Sequence, residues 1–174
     1  LPRELAIPAT TLGFNLEVAA TRFPDKPAYR FFGRPLSFGE LRAQAEAIAG
    51  WLQSVGVKPG ERVAIYMQNC PQFVVAYYAI VRANAVVVPV NPMNRADEFG
   101  HYITDPRAKV ALTTADLAPV VAEASARLHE AQRLTHIVAT RLADAMPAEL
   151  DPAEAPSPAM LEWLRADPPL PEGT

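Results

Sequence analysis

The chain has 174 residues, half of them hydrophobic and a fifth charged, with a formal net charge of −3. That is one ordinary domain, or a domain with a tail, and the composition excludes a disordered or fibrous protein. Fifteen basic residues face thirteen acidic ones up to Met146, and Arg165 alone faces six acids from Pro147 onward. Neither part holds the concentrated basic patch that nucleic-acid binding requires, so no nucleic-acid partner is expected. The single cysteine, Cys70, excludes an internal disulfide and a multi-cysteine metal site, and it suits a reducing compartment. The longest apolar run, Phe73 to Val81, is nine residues, against about 20 for a membrane-spanning helix. With no signal-peptide pattern, a soluble cytoplasmic protein is expected. The chain opens at Leu1 and not at Met, so a processed or excised product is expected.

Taken in order, Thr11 to Phe23 reads as a short helix that Phe23-Pro24 ends. Ala28 to Phe32 and Leu36 to Phe38 read as two short strands. Gly33-Arg34 between them predicts a type II′ hairpin turn with glycine first, and Pro35 restricts the second strand to an edge. Ser37 and Glu40 form an S-x-x-E capping box. Behind it, Phe38, Leu41, Ala45, Ile48, Leu52 and Val55 recur in steps of three and four, one apolar helical stripe. Gly56 suits the left-handed residue that closes a helix, and Pro59-Gly60 turns the chain into a strand over Arg62 to Met67.

The stretch from Gly60 to Pro92 is the apolar centre of the chain. Pro71 suits the first turn of a helix, with Asn69 placed to cap it. Phe73 to Val81 has no polar face, and the 14 residues from Pro71 to Asn84 are too long for a typical strand. A helix apolar all round is expected to be buried on all sides. Ala85 to Val90 predicts a strand covered on both faces, as in a parallel sheet.

Asn94 and Asp97 open a further helix, with Phe99, Tyr102 and Ile103 inward, and Asp105-Pro106 ends it. Lys109 to Thr113 is a strand. Asp116 caps a helix carrying Leu117, Val120, Val121, Ala124 and Leu128, and Thr135 to Ala139 is the last strand. This alternation predicts an α/β fold: a mainly parallel, right-handed βαβ sheet with helices on both faces and a small N-terminal hairpin. From Pro147 seven of 28 residues are proline. The expected organisation is an α/β unit over 1–146 and a proline-rich acidic connector over 147–174. One helical turn near Ala159 to Arg165 could dock Met160, Leu161, Trp163 and Leu164.

The usual chemical motifs of α/β chains are missing. There is no G-x-G-x-x-G, no G-x-x-x-x-G-K-[ST] and no G-x-S-x-G. His101, His129 and His136 are isolated and suggest no metal pair. Cys70 stands at a helix N-terminus, which can lower a thiol pKa, although a free cysteine is more often a small buried hydrophobe. Trp51, Tyr66, Tyr77 and Tyr78 fall in apolar runs and read as core. The residues assign no catalytic group and no metal ligand, and leave cofactor contacts unknown.

Three stretches in fixed order resemble the N-terminal part of the adenylate-forming acyl-CoA synthetases. Leu36-Ser37-Phe38-Gly39-Glu40-Leu41 is similar to the family's L-[TS]-[YF]-x-E-L entry into its first long helix. Gly60-Glu61-Arg62-Val63-Ala64 with Asn69-Cys70-Pro71 is similar to G-[DE]-R-V-A…N-x-[PS]. Val81 to Pro92 resembles [LV]-K-A-G-A-[VY]-x-x-P-[VL]-[ND]-P, and Asp105 with Ala108-Lys109-Val110 continues the match. The resemblance runs from about Asn15 to Ala139. Arg82 replaces the usual Lys and Asn84 the usual Gly, and asparagine tolerates the left-handed conformation. Gly100 stands where a better helix former is common.

The resemblance implies an N-terminal piece of a fatty-acid–CoA ligase. The parent enzyme would join a fatty acid to ATP, release diphosphate, and pass the acyl group to coenzyme A, with Mg2+ shielding the phosphates. Ile7 to Phe14 and Arg82 to Met93 look most like long-chain ligases. The family's phosphate loop, nucleotide contacts and C-terminal lysine are not in these 174 residues. No cofactor is therefore expected on this piece, and it is expected to be inactive alone. A homodimer stays open. So do a stand-alone, non-catalytic binding or scaffold module and an unrelated nucleotide-binding sheet protein.

Overall fold

The computed structural model describes residues 9–174; the Ile7-Pro8 part of the stretch singled out above lies outside them. A helix, α1 (Leu12–Arg22), leads into an antiparallel hairpin of β1 (Pro27–Phe31) and β2 (Arg34–Ser37). Then α2 (Phe38–Ser54), β3 (Arg62–Tyr66), α3 (Pro71–Arg82), β4 (Val86–Val90) and α4 (Ala96–Thr104) follow. The chain continues through β5 (Val110–Thr114), α5 (Ala118–Ala126), β6 (His136–Thr140) and α6 (Pro158–Arg165).

β3 to β6 form one parallel sheet in the order β4-β3-β5-β6. Alternate residues of its strands serve opposite faces. Val63, Ile65, Val110 and Leu112 pack with Leu52, Ala76 and Ile80 of α2 and α3. Ala64, Tyr66 and Ala111 pack with Phe99, Ile103 and Val121 of α4 and α5. Helices cover both faces, as the alternation predicts. Leu16 of α1 closes a smaller cluster with Leu41 and Val75.

The local signals explain most boundaries. The Ser37 hydroxyl accepts from the Glu40 amide at 3.2 Å while the Glu40 carboxylate accepts from the Ser37 amide at 2.8 Å. These bonds hold the Glu40 carboxyl below its ordinary pKa, the Ser37 amide contributing most. Pro71 sits in the first turn of α3. Gly56 and Asn84, after α2 and α3, have φ of 91° and 56°, the left-handed region expected of both.

Several expectations are corrected. The hairpin turn is Phe32-Gly33, with Phe31 paired to Arg34. Both central residues have positive φ, 46° and 87°, which a type I′ turn requires and a type II′ turn on Gly33-Arg34 does not. Phe32 tolerates this because its ring packs edge-on to Phe31, at 4.7 Å, and against the main core. Neither Asn69 nor Asp116 caps a helix. Cys70 and Leu117 hold those positions without side-chain cap bonds, and prolines in the first turns set both starts. Arg95, not Asn94, precedes α4, its amide held by the Glu98 carboxylate at 2.8 Å.

α3 is not buried all round: Phe73, Val74, Tyr77 and Tyr78 are half-buried, because α1 and the hairpin leave space beside that face. β4 is a sheet edge among the described residues, with Val86 and Pro89 exposed. Tyr102 is exposed as well, on the outer side of α4. In α6, Leu164 is buried and Leu161 packs on the core, whereas Met160 and Trp163 are largely exposed. α6 has only two positions facing the core, so only two of its apolar residues dock.

Candidate functional site

An open parallel sheet binds ligands outside the carboxyl ends of its strands, where the winding reverses. Here the chain runs from β3 to β4 on one side and then crosses to β5 on the other. The reversal therefore lies between the ends of β3 and β5, at Tyr66-Met67 and Thr113-Thr114.

Several polar groups at that junction are paired within the chain. The Thr113 hydroxyl donates to the Tyr66 carbonyl at 2.7 Å. The Tyr66 hydroxyl donates to the carbonyls of Pro92, at 3.1 Å, and Asn94. Burial is the main cause that raises the Tyr66 phenol pKa, with Glu98 and Asp116 adding to it. Thr114 Oγ1 and Gln72 Oε1 are buried polar atoms without a partner among the described residues.

The turn from β3 into α3 is where such a sheet would cradle a phosphate on free helix amides. Here Pro71 has no amide hydrogen, and the Phe73 amide donates to the Cys70 carbonyl at 3.1 Å. Burial raises the Cys70 thiol pKa, so Cys70 is a protonated core residue and the lowering expected at a helix start does not occur. Beyond the strand ends, Leu164 of α6 enters the cluster containing Met67, Cys70 and Leu142. Arg141 pairs with Asp167 just after α6. The void left between Asp116, Leu142 and Trp163 is about 10 Å3, room for one water at most.

The remaining singled-out residues do not converge on this point. His101 and His129 are exposed on separate elements. His136 lies edge-on to Trp51, 5.8 Å between ring centres. Among the described residues no three His, Cys, Asp or Glu side chains gather to hold a metal ion. Among the described residues no helix is long and apolar enough to cross a membrane.

The fold thus defines a doubly wound α/β unit in which α6 packs at the strand ends and a cavity of about 440 Å3, bordered by Met67, Gln72, Thr113 and Thr140, lies beside them. Residues 16–172 match the AMP-binding enzyme family, and the chain belongs to that family. It is 38% identical over 119 residues to a long-chain-fatty-acid–CoA ligase of Bacillus subtilis (strain 168), which covers 68% of this chain and 21% of the relative. It is 40% identical over 113 residues to a salicyl-AMP ligase / salicyl-S-ArCP synthetase of Mycobacterium tuberculosis, covering 62% of this chain and 20% of the relative. The crystallised N-terminal domain of FACL13 from M. tuberculosis superposes with a TM-score of 0.70 at 26% identity, over 84% of this chain and 39% of that one. The chain corresponds to the N-terminal portion of long-chain fatty acid–CoA ligase-like adenylate-forming enzymes and spans about a fifth of the curated relatives it matches. Within the matched residues the β3–α3 segment is packing: Val63 to Met67, Val75, Ala76, Ala79 and Ile80 are all buried.

Proposed function

We propose that this chain is the N-terminal structural part of a fatty-acid–CoA ligase and does not turn over alone. The whole enzyme would take ATP, a fatty acid and coenzyme A to acyl-CoA, AMP and diphosphate through an acyl-adenylate. The observation carrying the reading is the family match over residues 16–172, together with the 38% identity to the Bacillus subtilis fatty-acid ligase. Inactivity alone is supported by the lack of a phosphate-loop motif in these 174 residues. ATP, Mg2+ and coenzyme A belong to the whole enzyme in this reading, and its place is the cytoplasm. The division at Met146-Pro147, into an α/β unit and a proline-rich connector, is part of the same proposal.

A fatty acid is favoured over the aromatic acid of the salicyl-AMP ligase relative because that match covers less of this chain. The second reading, a non-catalytic α/β module, draws on the absence of a phosphate loop from these 174 residues. Reading the gene past Thr174 separates the two. A Gly-rich Ser/Thr loop ending in Pro-Lys-Gly within some tens of residues supports the ligase; a stop codon there overturns it in favour of the module.

A further inference from the structure

A cavity of about 580 Å3 lies away from the strand ends, between α1, β1 and α3. Its volume falls in the range of small-molecule sites, roughly 300–1,000 Å3. Six aromatic rings line it: Tyr29, Phe31, Phe38, Phe73, Tyr77 and Tyr78. Tyr77 and Tyr78 meet edge to face, 5.6 Å between centres. These are the residues of α3 that the fold leaves half-buried, on a helix whose composition called for full burial.

The charge of the lining is one-sided. Arg30 is the one charged residue among the described lining residues. Arg30 takes part in none of the ion pairs formed among the described residues. At the far wall Pro71 has no amide hydrogen and the Phe73 amide is paired with the Cys70 carbonyl at 3.1 Å, a poor cradle for a phosphate. Burial, followed by Tyr77 and Tyr29, raises the Tyr78 phenol pKa, which leaves it a neutral donor. One guanidinium, neutral phenols and an aromatic wall fit a singly charged anion with an apolar body, and a planar carboxylate matches the guanidinium fork.

We propose that the cavity between α1, β1 and α3 binds a free aliphatic monocarboxylate, its chain against the aromatic rings and its carboxylate at Arg30. This site is separate from the strand ends, and the proposal does not rest on the ligase assignment. The test titrates the 174-residue chain calorimetrically with decanoate and with 1-decanol, without ATP or coenzyme A, so a negative result leaves that assignment standing. Saturable decanoate binding is expected, with Arg30→Gln weakening it about tenfold and leaving 1-decanol unchanged. Asn15→Trp, at an exposed lining position of α1, should fill the cavity and abolish binding of both. Arg30 and Asn15 are exposed, so both variants should keep the wild-type melt. No saturable binding, an equal affinity in Arg30→Gln, or full binding in Asn15→Trp would each overturn the proposal.

Discussion

Asn84 and Phe32 both have positive φ, and only one of them was readable beforehand. Asparagine at a helix-to-strand corner carries its own explanation, since its side chain tolerates the left-handed region. Phenylalanine does not, and the nearby Gly33 pointed to the wrong turn. What holds Phe32 is tertiary packing, against Phe31 and the core, which no local pattern encodes. Cys70 is similar: its helix-start position was legible, but not the burial that dominates its chemistry. Its folded pKa is raised, so the native state holds the thiol proton more tightly than the unfolded chain does. That contribution is intact below the unfolded thiol pKa, about 8.5, and is lost as pH rises through the raised folded value. Urea midpoints should therefore fall more between pH 7 and pH 10 in the wild type than in Cys70→Ala; an equal fall would refute the burial of the thiol. Val75, 4% exposed beside Leu16 and Leu41, gives a second check. Val75→Asp buries an unpaired charge and should cost several kcal/mol. Loss of the cooperative thermal transition is expected, and an unchanged midpoint would contradict the packing.

Among the elements, those specified by punctuation were readable from sequence and those specified by neighbours were not. α2 carries its own start and stop in Ser37, Glu40 and Gly56, and it forms between them as expected. α3 and β4 carry only hydrophobicity. That predicted their existence but overstated their burial, because apolarity does not say which neighbours are present. The exposed Val86 and the aromatic cavity beside α3 are where the difference shows. α6 is the converse case, a short helix in a proline-rich segment that packs through Leu161 and Leu164. Leu164→Ala should cost about 3 kcal/mol if this docking contributes to the single cooperative transition. A denaturation midpoint unchanged from wild type would show α6 to be an independent appendage.

At the scale of the molecule, recognition and chemistry are carried by different residues. The stretch from Gly60 to Pro92 supplies the two strands and the helix at the centre of the sheet, and its buried residues explain why its pattern identifies the family. At the junction where a doubly wound sheet offers a ligand site, Pro71 removes one amide from the start of α3 and Leu164 packs into the adjoining core. The docking of Leu164 was legible as an apolar helical turn, but its partners Met67 and Cys70 were not, because they lie far away in the sequence. Under the proposed function the chain is a structural part of a ligase, and the reacting groups come from the rest of the enzyme. The most direct measurement is diphosphate release by the 174-residue chain given ATP, Mg2+, palmitate and coenzyme A. Release at the background rate is predicted, and sustained turnover dependent on palmitate would contradict the account.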